Sequence, residues 1–251
     1  MTSQPKYRDA AGLAQAVSAI LEPVFDRIER LAAAVAASRP ATRTGWSEGD
    51  LAGVRKLILE QISTDDVYLG MGYVAAPGVI DGQERYMLWW QQDHGQVSRL
   101  RPNFDRSSID VYDYVEMDWF RLAEAGHPRV TFGPYVDYSG ADQYIVTATV
   151  PVIVDGTLAG VAGADLLFGE LERRLVRVLR EASSEALIVN AERHIVAANT
   201  PRWVPGSRLP SLPEPGVRLR EFTFVEVAEP PVGVGWVLAV TDAERPQANL
   251  S

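Results

Sequence analysis

The stretch that decides the fold runs from Gln143 to Phe168 and reads "QYIVTATVPVIVDGTLAGVAGADLLF". Two long apolar runs flank the dipeptide Asp155-Gly156. Val, Ile and Thr, which fill the first run, are favoured in strands, and Asp-Gly is a preferred two-residue turn between antiparallel strands. The stretch therefore predicts a β-hairpin that turns at Asp155-Gly156.

Further strand-like segments lie on both sides of this hairpin. Residues 66–76, 85–92 and 129–137 precede it, and several thinner strand patterns follow after residue 184. Short turns containing Gly, Pro and Asp join these segments, in place of the repeated crossover helices that a parallel sheet requires. The sequence therefore predicts an α+β fold with antiparallel sheets and argues against a Rossmann-type fold.

A long amphipathic helix is predicted near the start of the chain, from about Asp9 to Ser38. Apolar residues recur there at steps of three and four, from Leu13 to Val35, which is the pattern of a helix with one buried face. Pro23 predicts either a kink or a later start of the helix. Such a helix either braces its own domain or forms the seam of a homodimer.

These elements predict a division of the chain into four parts. Residues 1–45 hold the long helix, and residues 46–168 form a large α+β module. Residues 169–182 form a second amphipathic helix that leads into a smaller β-rich module at residues 183–251.

The composition excludes several classes of protein. The chain of 251 residues has a net charge of −9, which repels phosphate backbones and makes nucleic acid a poor partner. It contains no cysteine, so disulfides and thiolate metal sites are excluded. No apolar run is long enough to span a membrane, and the first residues lack the pattern of a secretory signal. We predict a soluble, cytoplasmic protein that does not bind membranes.

The sequence also offers little catalytic machinery. The three histidines, His94, His127 and His194, are scattered along the chain, and none of the common hydrolase or nucleotide-binding motifs is present. Glu116 and Asp118 would not face each other on a helix. We predict a protein that is not an enzyme and holds neither a metal nor a cofactor.

Four blocks of the sequence resemble a known family. They are "VYDYVEMDWFRLAEAG" (111–126), "GPYVD" (133–137), "VTATVPV" (146–152) and "GVAGADL" (160–166). In this order and at this spacing they resemble the double Cache sensor family, the PAS-like sensor domains found outside the membrane in bacterial chemoreceptors and sensor kinases. The resemblance covers Thr64 to Phe168 well, and it implies a long N-terminal helix followed by two PAS-like modules, the larger of which binds a ligand. The family's usual transmembrane tethers are missing, which suggests a soluble relative.

The resemblance also implies a set of binding residues. In the amino-acid-sensing branch of the family, an Arg two positions before the Trp holds the ligand carboxylate, and Met117 occupies that position here. The acid that holds the ligand's ammonium group in the family corresponds to Asp165. The other matching positions are Tyr112, Trp119, Phe120, Tyr135 and Asp137.

The chemistry of these residues favours an amine over an amino acid. A primary ammonium group has three donors and is held by carboxylates and aromatic faces, which Asp165 and the aromatic residues supply. A carboxylate requires a fork of donors, usually from Arg, and Met117 cannot provide one. We therefore predict a small amine as the ligand, with Glu116 or Asp118 meeting the second ammonium group if the ligand is a diamine or polyamine.

Several alternatives stay open. Trp89 and Trp90 face opposite sides of one strand, and we assign Trp90 to the pocket. Arg101 or Arg106 could restore a carboxylate clamp, in which case the ligand is an amino acid or a carboxylate.

Two further alternatives concern the role of the whole chain. Without the resemblance, Trp119 and Phe120 would be ordinary core residues, and Asp165 would cap the helix that follows it. The chain could also be a scaffold or a transport-associated protein with no ligand of its own. For the sensor itself, we predict that the small module binds nothing, because its motif residues are missing, and that an unknown protein partner receives the signal.

Overall fold

The fold is known from a computed structural model, which describes residues 9–93, 95–138, 143–219 and 221–245. His94 and residues 246–251 lie outside the described residues. The chain divides into two compact units, of which the larger is Val24–Phe168 and the smaller combines Met1–Pro23 with Gly169–Ser251.

Helix α1 spans Ala10–Ala37 without interruption at Pro23. The prediction that the proline delays the start of the helix is therefore wrong. Leu21 and Phe25, on either side of Pro23, are completely buried, and burial of such side chains stabilises the helix by about 1.5–3 kcal/mol each. This gain offsets the roughly 3 kcal/mol that an internal proline costs a helix. A homodimer formed through this helix stays a prediction.

The larger unit is built on one antiparallel sheet. Its strands are β1 (Tyr68–Ala75), β2 (Met87–Asp93), β3 (Gln96–Leu100), β4 (Val130–Asp137), β5 (Gln143–Val154) and β6 (Thr157–Leu167). They lie in the order β3-β2-β1-β6-β5-β4. Helix α2 (Ala52–Ile62) precedes the sheet in sequence, and the short helix α3 (Asp118–Glu124) lies between β3 and β4 in the chain.

The central hairpin of β5 and β6 confirms the predicted turn. Asp155 has a φ of 51° and Gly156 a φ of 75°, so both central residues are left-handed, as the favoured two-residue hairpin turn requires. The paired register runs from Ile145 opposite Leu167 to Val154 opposite Thr157. These two strands form the middle of the sheet beside β1, and they carry part of the candidate site.

The smaller unit has a second antiparallel sheet, which follows helix α4 (Phe168–Leu179) in the chain. Its strands are β7 (Ser184–Val189), β8 (Ile195–Ala198), β9 (Arg218–Leu219), β10 (Phe222–Ala228) and β11 (Val237–Glu244). They lie in the order β8-β7-β11-β10-β9. The two antiparallel sheets and the long first helix confirm the predicted α+β class with two PAS-like modules.

Candidate ligand-binding site

The register of the larger sheet aligns three rows of residues on one face. Strand positions two apart point to the same side of a sheet. The first row places Thr147 opposite Asp165, and Asp165 opposite Gly70. Four residues further along β1, Val74 lies opposite Met87. The face is therefore polar at one end and apolar at the other.

The middle row carries the indole of Trp89. Gly72 lies opposite both Trp89 and Gly163. A Cβ atom on Gly70 would lie 2.5 Å from Trp89 Nε1, and one on Gly72 would lie 2.8 Å from Trp89 Cε3. These distances are too short for a real side chain, so the indole ring can lie against the sheet only because these two positions are glycine.

Helix α3 and the residues before it cover this face. Trp119 and Phe120 are buried in one apolar cluster with Tyr114 and Trp89. The Tyr114 hydroxyl donates to the carbonyl of Ala75 at 2.7 Å, which fixes the segment before the helix to the end of β1.

Between the sheet and its cover lies a small, partly open cavity, with about 350 Å³ of space that includes some open to solvent. The residues that line it are Val74, Met87, Trp89, Leu100, Tyr112, Trp119, Tyr135, Asp137, Thr147, Thr149 and Asp165. Two are acids, four are aromatic and none is basic.

Hydrogen bonds connect the polar wall of the cavity. Thr147 Oγ1 donates to Asp165 Oδ1 at 2.8 Å. The hydroxyl oxygens of Tyr135 and Thr147 are also 2.8 Å apart. Because the Thr147 proton is directed to Asp165, the Tyr135 hydroxyl donates to Thr147.

Burial changes the protonation of this wall. Asp165 and Asp137 are each only 8% exposed. Burial first, and the charge of Asp137 second, raise the pKa of Asp165 to about 7, against the hydrogen bond from Thr147, which lowers it. Burial and the charge of Asp165 also raise the pKa of Tyr112 and of Tyr135, so both hydroxyls keep their protons at neutral pH. A cation in the cavity would stabilise the ionised form of Asp165.

The structure brings five of the predicted binding residues together around the cavity. They are Tyr112, Trp119, Tyr135, Asp137 and Asp165. They come from β4, β6, helix α3 and the segment before that helix, so their proximity depends on the fold of the whole unit.

Four predicted residues near helix α3 lie elsewhere. Glu116 has a side chain that is 64% exposed and forms an ion pair with Arg121, and Asp118 is exposed at the first position of the helix. Met117 is half-buried beside the apolar cluster, and Phe120 belongs to the cluster itself. None of the four lines the cavity.

The other predicted residues also lie outside the cavity. Trp90 is on the opposite face of β2 from Trp89, where the guanidinium groups of Arg55 and Arg99 lie 5.5 and 5.6 Å from its ring. Arg101 is exposed and borders a separate open cleft. Arg106 is 3.6 Å from Glu84 and largely exposed. The structure therefore does not bring a basic residue to the cavity from this loop.

Sequence reasoning missed Trp89 and the two threonines of β5. Thr147 and Thr149 are the polar residues of the apolar run 145–154, two positions apart, and this spacing places them on one face. That signal was sufficient to find them. It also missed three apolar lining residues, Val74, Met87 and Leu100, which have no feature in the sequence that separates them from the core.

No group of three or more potential metal ligands occurs among the residues that the structure describes.

Comparisons with known proteins agree with this architecture. Residues 54–173 match the family described as methyl-accepting chemotaxis protein-like, first PDC sensor domain. No curated protein sequence matches the chain significantly. Residues 54–173 form a sensor domain of this PDC type, as the resemblance to the double Cache family indicated.

Solved structures with the same fold include sensory domains from several bacteria. The sensory domain of the Campylobacter jejuni chemoreceptor Tlp3 (CcmL), with isoleucine bound, has a TM-score of 0.57 at 13% identity and covers 92% of this chain and 90% of its own. The ligand-binding domain of the Pseudomonas aeruginosa PAO1 amino acid chemoreceptor PctC, in complex with GABA, has a TM-score of 0.53 at 20% identity, with coverage of 92% and 96%. At these identities the likeness establishes the fold.

A third structure bears on location. The extracellular domain of soHK1S-Z6, described as a histidine kinase, has a TM-score of 0.59 at 13% identity and covers 93% of this chain and 92% of its own. Together with the match to a chemoreceptor sensor domain, it overturns the prediction of a cytoplasmic location. Composition misled here, because the absence of cysteine is compatible with either side of the membrane. Within the described residues, no helix is long and apolar enough to cross a membrane.

Proposed function

We propose that the larger unit senses a small organic amine, which binds in the cavity as an ammonium ion. The observation that carries this proposal is the buried carboxylate of Asp165, which lines the cavity with the rings of Tyr112, Trp119 and Tyr135 and with a second acid, Asp137. Two buried acids that lie close together are costly to ionise at the same time. A cationic ligand lowers that cost, because its charge stabilises the ionised carboxylate of Asp165.

The surrounding side chains suit the rest of an ammonium ion. Its three N–H groups need acceptors, and the oxygens of Asp165 and Asp137 offer them. The rings of Tyr112, Trp119 and Tyr135 provide faces that attract a cation, an interaction that strengthens when water is excluded. Diamines are less well matched than monoamines, because Glu116 and Asp118 are exposed and do not line the cavity.

An amino acid is the second candidate. The amino acid chemoreceptor PctC is described in complex with GABA and Tlp3 with isoleucine, and the indole N–H of Trp89 in this chain is a donor that a carboxylate could accept. Against this candidate, a carboxylate would lie among acids with no described guanidinium group to pair with it.

The protein would act by binding its ligand and not by catalysis, and a protein partner would recognise the conformational change that binding causes. We assign ligand binding to the module of residues 46–168 and none to residues 183–251. In the smaller unit a packed apolar cluster contains Trp203, Phe222 and Phe224. The buried carboxylate of Glu185 accepts a hydrogen bond from Trp203 Nε1 at 3.2 Å, so this acid already has a partner.

A thermal-shift panel tests the proposal. Purified protein is heated with n-propylamine, putrescine, L-alanine or acetate. A ligand at a hundred times its Kd adds about 2.7 kcal/mol, or roughly 5–10 °C for a chain of this size. We expect the largest shift with n-propylamine and none with acetate. A shift with L-alanine and none with either amine would contradict the proposal.

A further inference from the structure

One buried polar atom of the cavity wall has no role so far. Trp89 is 5% exposed, and its Nε1 has no hydrogen-bond partner among the described residues. Two other buried indoles have hydrogen-bond acceptors. Trp46 Nε1 donates to the Val35 carbonyl and to Ser38 Oγ, and Trp203 Nε1 donates to Glu185 Oε2. A buried donor without an acceptor is destabilising, because it has lost its hydrogen bond to water and gained none in return. Trp89 is therefore an exception that calls for an acceptor.

This donor faces the same small space as the acid that holds the ammonium group. A Cβ atom on Gly70 would lie 2.5 Å from Trp89 Nε1 and 3.2 Å from Asp165 Oδ2. Donor and acceptor thus approach one common point at the polar end of the cavity. A ligand whose ammonium group contacts Asp165 has its adjacent atoms within reach of the indole N–H.

The charge of the site restricts what the acceptor can be. A carboxylate on the ligand would meet Asp137 and Asp165, with no basic side chain among the described residues that line the cavity, and like charges repel strongly at short range in a buried site. An uncharged oxygen, such as a hydroxyl, accepts from the indole without this repulsion and can donate its own proton to a carboxylate.

We infer that Trp89 selects amines that carry an uncharged hydrogen-bond acceptor close to the ammonium group, of which a short amino alcohol is the simplest. This inference rests on the proposed amine-sensing function and narrows its ligand class. Trp89 is then a specificity-determining residue: its indole N–H donates to the neighbouring oxygen of the ligand, while Asp165 pairs with the ammonium group.

The test compares two ligands of nearly equal size that differ in one group. Ethanolamine and n-propylamine are titrated calorimetrically into the wild-type protein, into Trp89→Phe and into the control Trp90→Phe, whose side chain is on the other face of β2. We expect ethanolamine to bind about 10-fold more tightly than n-propylamine to the wild type and to Trp90→Phe. The preference should fall to about 1 in Trp89→Phe, which keeps an aromatic ring and loses the donor.

Each other outcome has a distinct meaning. Equal affinities of the two ligands for the wild type would overturn the inference and leave the amine proposal intact. A preference that persists in Trp89→Phe would overturn the role of the indole. If neither amine binds while L-alanine does, the proposed function and the inference fall together. The wild-type comparison needs no variant, so it tests the inferred ligand class even if Trp89→Phe does not fold.

Discussion

Thr147 Oγ1 donates a 2.8 Å hydrogen bond to Asp165 Oδ1 across the pairing of β5 and β6. The same hydroxyl is 2.8 Å from the hydroxyl of Tyr135 on β4. Three adjacent strands thus contribute one side chain each to a single hydrogen-bond network. These hydrogen bonds orient the Asp165 carboxylate, and its second oxygen, Oδ2, is directed toward Gly70 and Trp89.

Replacing Asp165 with Asn should remove amine binding and stabilise the free protein. Asn keeps an oxygen that accepts from Thr147 but cannot carry the charge that pairs with an ammonium ion. We expect at least a 100-fold loss of affinity for n-propylamine, measured by calorimetry. The control Asp118→Asn, at an exposed position outside the cavity, should bind as the wild type does.

The stability gain of Asp165→Asn should depend on pH. The pKa of Asp165 is about 7 in the folded protein and about 3.9 in an unfolded chain. Between pH 4 and 7 the folded state holds a proton that the unfolded state has lost, so wild-type stability falls as pH rises through this window. The variant should match the wild type near pH 4 and exceed it by up to roughly 4 kcal/mol above pH 7, as chemical denaturation would measure. Equal stability at pH 8 would contradict this.

Amine affinity should rise with pH and level off near pH 7. Below that value Asp165 is protonated in the free protein and must lose its proton to pair with the ligand, while an alkylammonium ion stays charged. Affinity should therefore fall by about 10-fold for each pH unit below 7. Calorimetry in buffers of different ionisation enthalpy would detect about one proton released at pH 5.5. A flat profile between pH 5 and 8 would argue that Asp165 does not contact the cation.

The substitution Gly70→Ala should weaken ligand binding. The new Cβ atom would lie 2.5 Å from Trp89 Nε1, so the indole must move into the cavity. We expect at least a 10-fold loss of affinity and a destabilisation of about 1–3 kcal/mol. In the control Gly53→Ala, on helix α2, nothing lies within 4 Å of the new atom, and a gain of about 0.5–1 kcal/mol is expected. Unchanged binding by Gly70→Ala would show that Trp89 can move away without affecting the ligand.

Removing Arg101 should leave ligand affinity unchanged within about 2-fold. Arg101 is exposed and borders a cleft other than the proposed binding cavity. The Arg101→Ala variant can be titrated with the amine, amino acid and carboxylate panel. A loss of binding for any of these ligands would mean that this loop supplies a carboxylate clamp, and the amino-acid candidate would then replace the amine.

The fold followed from local features of the sequence to a large extent. The hairpin at Asp155-Gly156 was predictable because two left-handed residues are needed there and Asp-Gly supplies them. Pro23 was harder to interpret. Its cost to the helix is local, but the burial of Leu21 and Phe25 that offsets it depends on the rest of the chain.

The site was only partly predictable. The family resemblance indicated Tyr112, Trp119, Tyr135, Asp137 and Asp165, and all five line the cavity. Alternation along β2 predicted that Trp89 and Trp90 face opposite ways, but it could not say which faces the cavity. That choice depends on the register with β1, where Trp89 lies opposite Gly72, and a shift by one residue would reverse it.

Strand β4 has a position in the sheet that affects how the site would respond to its ligand. It is the last strand of the order, so it pairs with β5 alone, and it carries Tyr135 and Asp137. Edge strands are held by fewer backbone hydrogen bonds and open more readily than central ones. A ligand that contacts both side chains would tie this edge to the interior, and the amides of β4 should exchange their hydrogens with solvent more slowly once it is bound.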